Sequence, residues 1–121
     1  MRKKKHYKIV QVFGDTLWSY TGRAPFGNTE YSPNKDSFRE EGCGPLAVFK
    51  SLEDCKAFLR IDWGGKLQHQ VWECEIDESF DDCLWIKDSY GFFGSPDGTV
   101  FADVVRLTKF VSDVTKDFVS S

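Results

Sequence analysis

The chain has 121 residues, of which 40 % are hydrophobic and 29 % charged, with a net charge of −3 and a pI near 5.3. That length holds one domain with a real core, and the composition excludes both a disordered chain and a membrane protein. An acidic balance also excludes a surface built for nucleic acid. Aromatic residues make up 16 % of the chain, enough that some rings are expected outside the core, lining a pocket or an interface.

Residues 1–6 carry Arg2, Lys3, Lys4 and Lys5 and read as a solvated basic tail, with a single domain expected over 7–121. Residues 7–13 and 16–20 are rich in β-branched and aromatic side chains. Gly14-Asp15 between them suits a two-residue hairpin turn. Apolar residues fall on both parities of the first strand (Ile9 and Phe13, Val10 and Val12), so both its faces should be covered.

Residues 21–45 hold three prolines and four glycines and read as a long irregular connection. A short strand around 29–32 is expected to interrupt it. Leu46-Ala47-Val48-Phe49 is a buried-strand run, and Ser51 with Asp54 three residues on marks the start of a helix. Leu52, Cys55, Phe58 and Leu59 repeat at helical spacing, with Lys56 and Arg60 expected on the wet side.

Residues 70–76 alternate, with Trp72, Cys74 and Ile76 on one face and Val71, Glu73 and Glu75 on an acidic outer face. Further strands are expected over 83–86 and 99–107, separated by a second loop over 88–98. The last segment allows two readings. Phe110, Val114 and Phe118 have helical spacing, while the Val and Thr content favours a strand. The fold class expected is α+β: an antiparallel or mixed sheet of five to six strands, one main packed helix and two long loops.

The four cysteines (Cys43, Cys55, Cys74, Cys83) contain no C-x-x-C pair, and no metal site is expected. Residues 7–10 after the basic start do not open an apolar run, so reduced thiols and a cytoplasmic setting are expected. Cys55 and Cys74 fall on apolar faces and read as small buried hydrophobes. His69, the one internal histidine, reads as a surface or strand-edge residue. Glu73, Glu75, Asp77, Glu78, Asp81 and Asp82 concentrate negative charge, best read as a solvated sheet face that discourages edge pairing.

The two loops are where a site is expected. Arg23, Phe26, Tyr31 and Arg39 come from the first, and Tyr90, Phe92 and Phe93 from the second. Arginines supply bidentate anion contacts and rings supply stacking faces, which together suit a nucleotide-like ligand.

Two resemblances bear on function. Glu73-Cys74-Glu75 resembles the E-x-E element of arginine-type ADP-ribosyltransferases, which implies NAD as cofactor and Glu73 and Glu75 as catalytic residues, with Glu75 assisting glycosidic-bond chemistry. Lys8 is what the first strand offers where that family carries an arginine, and Tyr31-Ser32 is what stands for its S-T-S strand. The runs YKIV, GPLAVFKSLEDCKAFL, VWECEI and DGTVFADVVRL are similar to those of small bacterial and phage proteins of about this length. That likeness implies a shared domain and makes sequestration of nucleotide second messengers a thinkable role.

The expected function is therefore non-enzymatic binding of a nucleotide-like small molecule, without a cofactor and with a homo-oligomer possible. Alternatives are an NAD-using ADP-ribosyltransferase-like enzyme and a module that binds only a protein partner. Neither nucleic-acid specificity nor membrane association is expected.

Overall fold

In a computed structural model the described residues are 5–19, 29–39, 45–62, 68–80 and 97–121. They form β1 (His6–Phe13), β2 (Thr16–Ser19), β3 (Glu30–Tyr31), β4 (Asp36–Phe38), β5 (Leu46–Phe49), α1 (Leu52–Asp62), β6 (His69–Glu78), β7 (Thr99–Asp113) and α2 (Lys116–Ser120). Every strand pairing is antiparallel.

The Gly14-Asp15 turn forms as the sequence suggests. Gly14 takes φ 55°, a left-handed conformation that glycine adopts without a Cβ penalty, and Phe13 pairs with Thr16 across it. The Thr16 hydroxyl donates to the Phe13 carbonyl at 2.7 Å and ties the turn.

β1 pairs along one edge with β6, from His6 opposite Cys74 to Gln11 opposite His69. β6 pairs with β7, β7 with β5, and β5 returns to β1 through Tyr7 opposite Phe49. These four strands therefore close on themselves as a small barrel. β2 and β3 extend the sheet from β1, and β4 adds to β7 at residues 104–106. The Ser37 hydroxyl donates to the Glu30 carbonyl at 3.1 Å, joining β4 to β3.

β7 supplies the curvature. Its register with β6 slips at Val71/Trp72, Glu73/Cys74 and Asp77/Glu78, and each slip places an extra residue on β7. Residues 70–78 of β6 thus face residues 102–113 of β7, nine against twelve. Bulges of this kind bend and twist the strand that carries them, which lets one long strand reach β6 on one edge and both β5 and β4 on the other.

Alternation along the strands sorts the apolar residues into two layers. Val10, Tyr31, Leu46, Val48, Cys74, Ile76, Ala102, Val105 and Leu107 line the concave inner face as one apolar cluster. Ile9, Phe49, Cys55, Leu59, Val71, Val114 and Val119 form an outer layer between the barrel and the helices. β1 is thus covered on both faces, as its two-parity apolar pattern implies. Burying each such aliphatic side chain contributes about 1.5–3 kcal/mol.

α1 starts at its expected cap: the Asp54 amide donates to Ser51 Oγ at 3.1 Å, and that hydroxyl donates to Asp54 Oδ2 at 2.7 Å. α2 is capped by Thr115, whose hydroxyl accepts the Phe118 amide at 3.1 Å.

Several expectations need correction. The described residues contain seven strands, more than the five or six expected: the short strand expected around 29–32 is β3, and the three-residue β4 is a further one inside the stretch read as a long loop. The first strand begins at His6, so the tail is shorter by one residue. The C-terminal segment is both things in turn, strand to Asp113 and then helix. Val71 is buried, because the outer layer covers the early part of the face that carries the glutamates farther on. His69 is only 3 % exposed, its carbonyl accepting the Val114 amide at 2.9 Å. Lys56 is buried too, since α2 packs on the side of α1 that the helical pattern leaves wet. The strand expected over 83–86 lies outside the described residues.

Candidate functional site

On β1, His6, Lys8 and Val10 share the parity that faces inward, and Val10 sits in the inner layer. Lys8 therefore sends a charged side chain to the concave face from the middle of an apolar strand. It is 7 % exposed. Its Nζ donates to the Ala47 carbonyl at 2.7 Å and stands 5.4 Å from the centre of the Tyr31 ring, within the range of a cation–π contact. Ala47 lies on β5 close to the single β1–β5 pair, so Lys8 also reinforces the closure of the barrel. Among the described residues it has no carboxylate partner.

Lys8 is in register with Trp72 of β6. The Trp72 indole N–H donates to Gln70 Oε1 at 3.0 Å, and Gln70 Nε2 donates to Asp113 Oδ1 at 3.3 Å, which fixes the indole plane. Phe110 meets Trp72 edge to face with centroids 5.7 Å apart, a favoured aromatic geometry. Phe110 is 43 % exposed, whereas Tyr31 is 2 % exposed. The concave face thus runs from solvent at Phe110, past Trp72, to Lys8 over Tyr31.

Cys74 shares this face, opposite His6. Burial pushes its thiol up to about 12, Lys8 acting in the other direction and Glu73 adding to the rise. Burial also raises the Cys55 thiol, with Cys74 and Asp54 adding to the effect. Both sulfurs stay protonated at neutral pH, and a thiol is a poor nucleophile.

Of the seven binding residues expected from sequence, Tyr31 and Arg39 are among the described residues. Tyr31 is at the site, but as a core ring beneath a cation. Arg39 is engaged by Asp103: its Nη1 lies 3.4 Å from Asp103 Oδ1 and its amide donates to the Asp103 carbonyl at 3.2 Å. The cation over Tyr31 is Lys8. Arg23, Phe26, Tyr90, Phe92 and Phe93 lie outside the described residues, as does Cys43.

Glu73 and Glu75 point away from Lys8. β6 carries no extra residue of its own, so Trp72, Cys74 and Ile76 face inward while Val71, Glu73 and Glu75 face outward. Glu73 lies 3.7 Å from Lys5 Nζ and opposite Lys109. Glu75 is opposite Arg106, which in turn bonds Asp36 at 2.9 Å. Each acid of the E-x-E tripeptide therefore has a cation across the sheet. The strand-one cation and the two glutamates are on opposite faces.

Sequence reasoning missed Lys8, Trp72 and Phe110 as a group. The available signal was a lysine at the inward parity of a strand expected to be covered on both faces. Among the described residues no three His, Cys, Asp or Glu side chains are placed to hold a metal ion, and no helix is long and apolar enough to cross a membrane. Comparison of the chain with protein-family models, with curated proteins and with solved structures finds no match.

Proposed function

We propose that the chain is a small-ligand binding protein that takes a flat, nucleotide-like ring on its concave face and holds it without chemical change. The observation that carries this reading is the placing of Trp72, Phe110 and Tyr31 on the same face as Lys8, graded from exposed to buried. Stacking a base on an aromatic side chain contributes about 1–3 kcal/mol, and the Gln70–Asp113 hydrogen bonds hold the Trp72 plane ready for it. Burial keeps Cys74 and Cys55 protonated, so neither thiol serves as a nucleophile toward a bound ligand.

A thermal-shift panel of nucleosides, nucleotides and dinucleotides, NAD among them, tests the reading. A ligand at a hundred times its Kd stabilises the native state by about 2.7 kcal/mol, a readily measured rise in Tm. The same ligand should give a much smaller rise with Trp72→Leu or Phe110→Ala. A panel that leaves Tm unmoved, with a dimer or a captured protein seen by size exclusion, would replace this reading with a protein-interaction module.

A further inference from the structure

We infer that Lys8 is the anchor for an anionic group, phosphate or carboxylate, carried by the ring-bearing ligand; this rests on the ring-binding reading above and adds the charge its ligand must have.

An ammonium taken out of water loses several kcal/mol of hydration, and proteins ordinarily offset this with a carboxylate and with hydrogen bonds to all three donors. Lys8 is 7 % exposed and has neither in full. Among the described residues its Nζ has one hydrogen-bond acceptor, the Ala47 carbonyl, and one ring face, Tyr31. An ammonium has three N–H donors and no acceptor, so two have no acceptor among the described residues.

The glutamates of β6 do not serve it. Glu73 and Glu75 project from the other face of β6, and Glu73 is already beside Lys5. The other ion pairs among the described residues, Arg39 with Asp103 and Arg106 with Asp36, do not involve Lys8.

The position suits the role. Lys8 is in register with Trp72, and Trp72 meets the half-exposed Phe110. A ring laid against Trp72 would carry a short anionic substituent toward Nζ. An anion there would complete a charge-assisted hydrogen bond in a low-dielectric setting, where such bonds are strongest.

The experiment compares ligand pairs that differ only in charge: the four common nucleosides against their 5′-monophosphates, and tryptophol against indole-3-acetate. Binding is measured by calorimetry and thermal shift in wild type, Lys8→Met and Lys8→Arg. The charged member of at least one pair should bind about tenfold tighter or more in wild type, a difference of about 1.4 kcal/mol. Lys8→Met should abolish the preference for the charged member over its neutral partner, and Lys8→Arg should retain most of it. A preference confined to nucleotides identifies phosphate; one confined to indole-3-acetate identifies carboxylate.

Charged and neutral members that bind equally overturn the anchor and leave the ring-binding reading standing. So does a charge preference that survives Lys8→Met. Failure of every probe to bind overturns both. Should Lys8→Met not fold by circular dichroism, the wild-type pairs and Lys8→Arg still decide the matter.

Discussion

Gly98 lies against Asp54 so closely that a Cβ built on Gly98 would overlap the Asp54 side chain. The contact joins the start of β7 to the cap of α1, and the Lys50 amide donating to the Gly98 carbonyl at 2.9 Å holds it in place. Gly98 also has φ 81°, where a side chain is strained regardless of space.

Two glycine substitutions separate these effects. Gly14→Ala has the same kind of backbone strain, with nothing near its would-be Cβ, and should cost about 1 kcal/mol. Gly98→Ala must in addition displace Asp54 from Ser51 and should cost about 2–3 kcal/mol. In an Asp54→Ala background the cost of Gly98→Ala should fall back toward that of Gly14→Ala, because the two sites share one contact. Urea unfolding of the four variants measures this; equal costs for the two glycines would show that the Asp54 contact contributes nothing.

A second set of contacts fastens α2. Lys56 Nζ donates to Ser121 Oγ at 2.8 Å and stands 5.1 Å over the Phe118 ring, while Arg60 Nε donates to the Val119 carbonyl at 3.0 Å. Both cations meet the C-terminal end of α2, where helix carbonyls lack partners and the dipole is negative. Lys56→Met keeps the aliphatic stem and removes the ammonium, and should cost about 1–2 kcal/mol. The loss should be local. Hydrogen exchange of the Val119 amide, bonded to the Thr115 carbonyl at 3.0 Å, should quicken while core amides of β6 hold. Unchanged exchange at Val119 would mean the clasp does not restrain α2.

What the sequence made legible was local. The Gly14-Asp15 hairpin, the run of β5 and the Ser51 cap are each specified by residues within a few positions, and they appear where expected. What it hid depends on distant partners. β4, Asp36-Ser37-Phe38, is too short to carry an alternating pattern and is a strand only because residues 104–106 pair with it and Arg106 bonds Asp36. Lys56 reads as wet until α2, sixty residues on, covers it. Closure of the barrel hangs on Tyr7 opposite Phe49 and on three bulges in β7, none of which leaves a periodic mark. Lys8 was hidden for a different reason: a charge in a strand is read as facing water, and only the inward parity shared with Val10 says otherwise.

The acidic tripeptide gives a third test. Because Glu75 faces outward, opposite Arg106, Glu75→Gln should leave any ligand-induced rise in Tm unchanged and alter stability by less than about 1 kcal/mol. Trp72→Leu, on the inward face of the same strand, should reduce that rise. Loss of NAD-induced stabilisation in Glu75→Gln with retention in Trp72→Leu would turn the assignment around, toward chemistry resembling that of ADP-ribosyltransferases.

The buried thiols set the alkaline limit of stability. Cys74 is pushed from 9.0 to about 12 by burial, and Cys55 is raised as well. A folded-state pKa above the unfolded value means that below pH 9 both states hold the proton and stability is unaffected. Above pH 9 the unfolded chain releases protons that the folded chain retains, so the unfolded state gains and stability declines until the folded thiols also ionise, near pH 12 for Cys74. The slope approaches about 1.4 kcal/mol per pH unit for each thiol. Urea unfolding between pH 7 and pH 11 should show a flat region followed by this decline, and Cys74→Ala should remove about half of the slope while lowering the plateau by the cavity it leaves. Labelling with a thiol reagent at neutral pH should proceed only through opening of the fold for Cys55 and Cys74, residues that are 0 % and 1 % exposed. Rapid labelling of either in the native state would show that the two layers open far more readily than their packing implies.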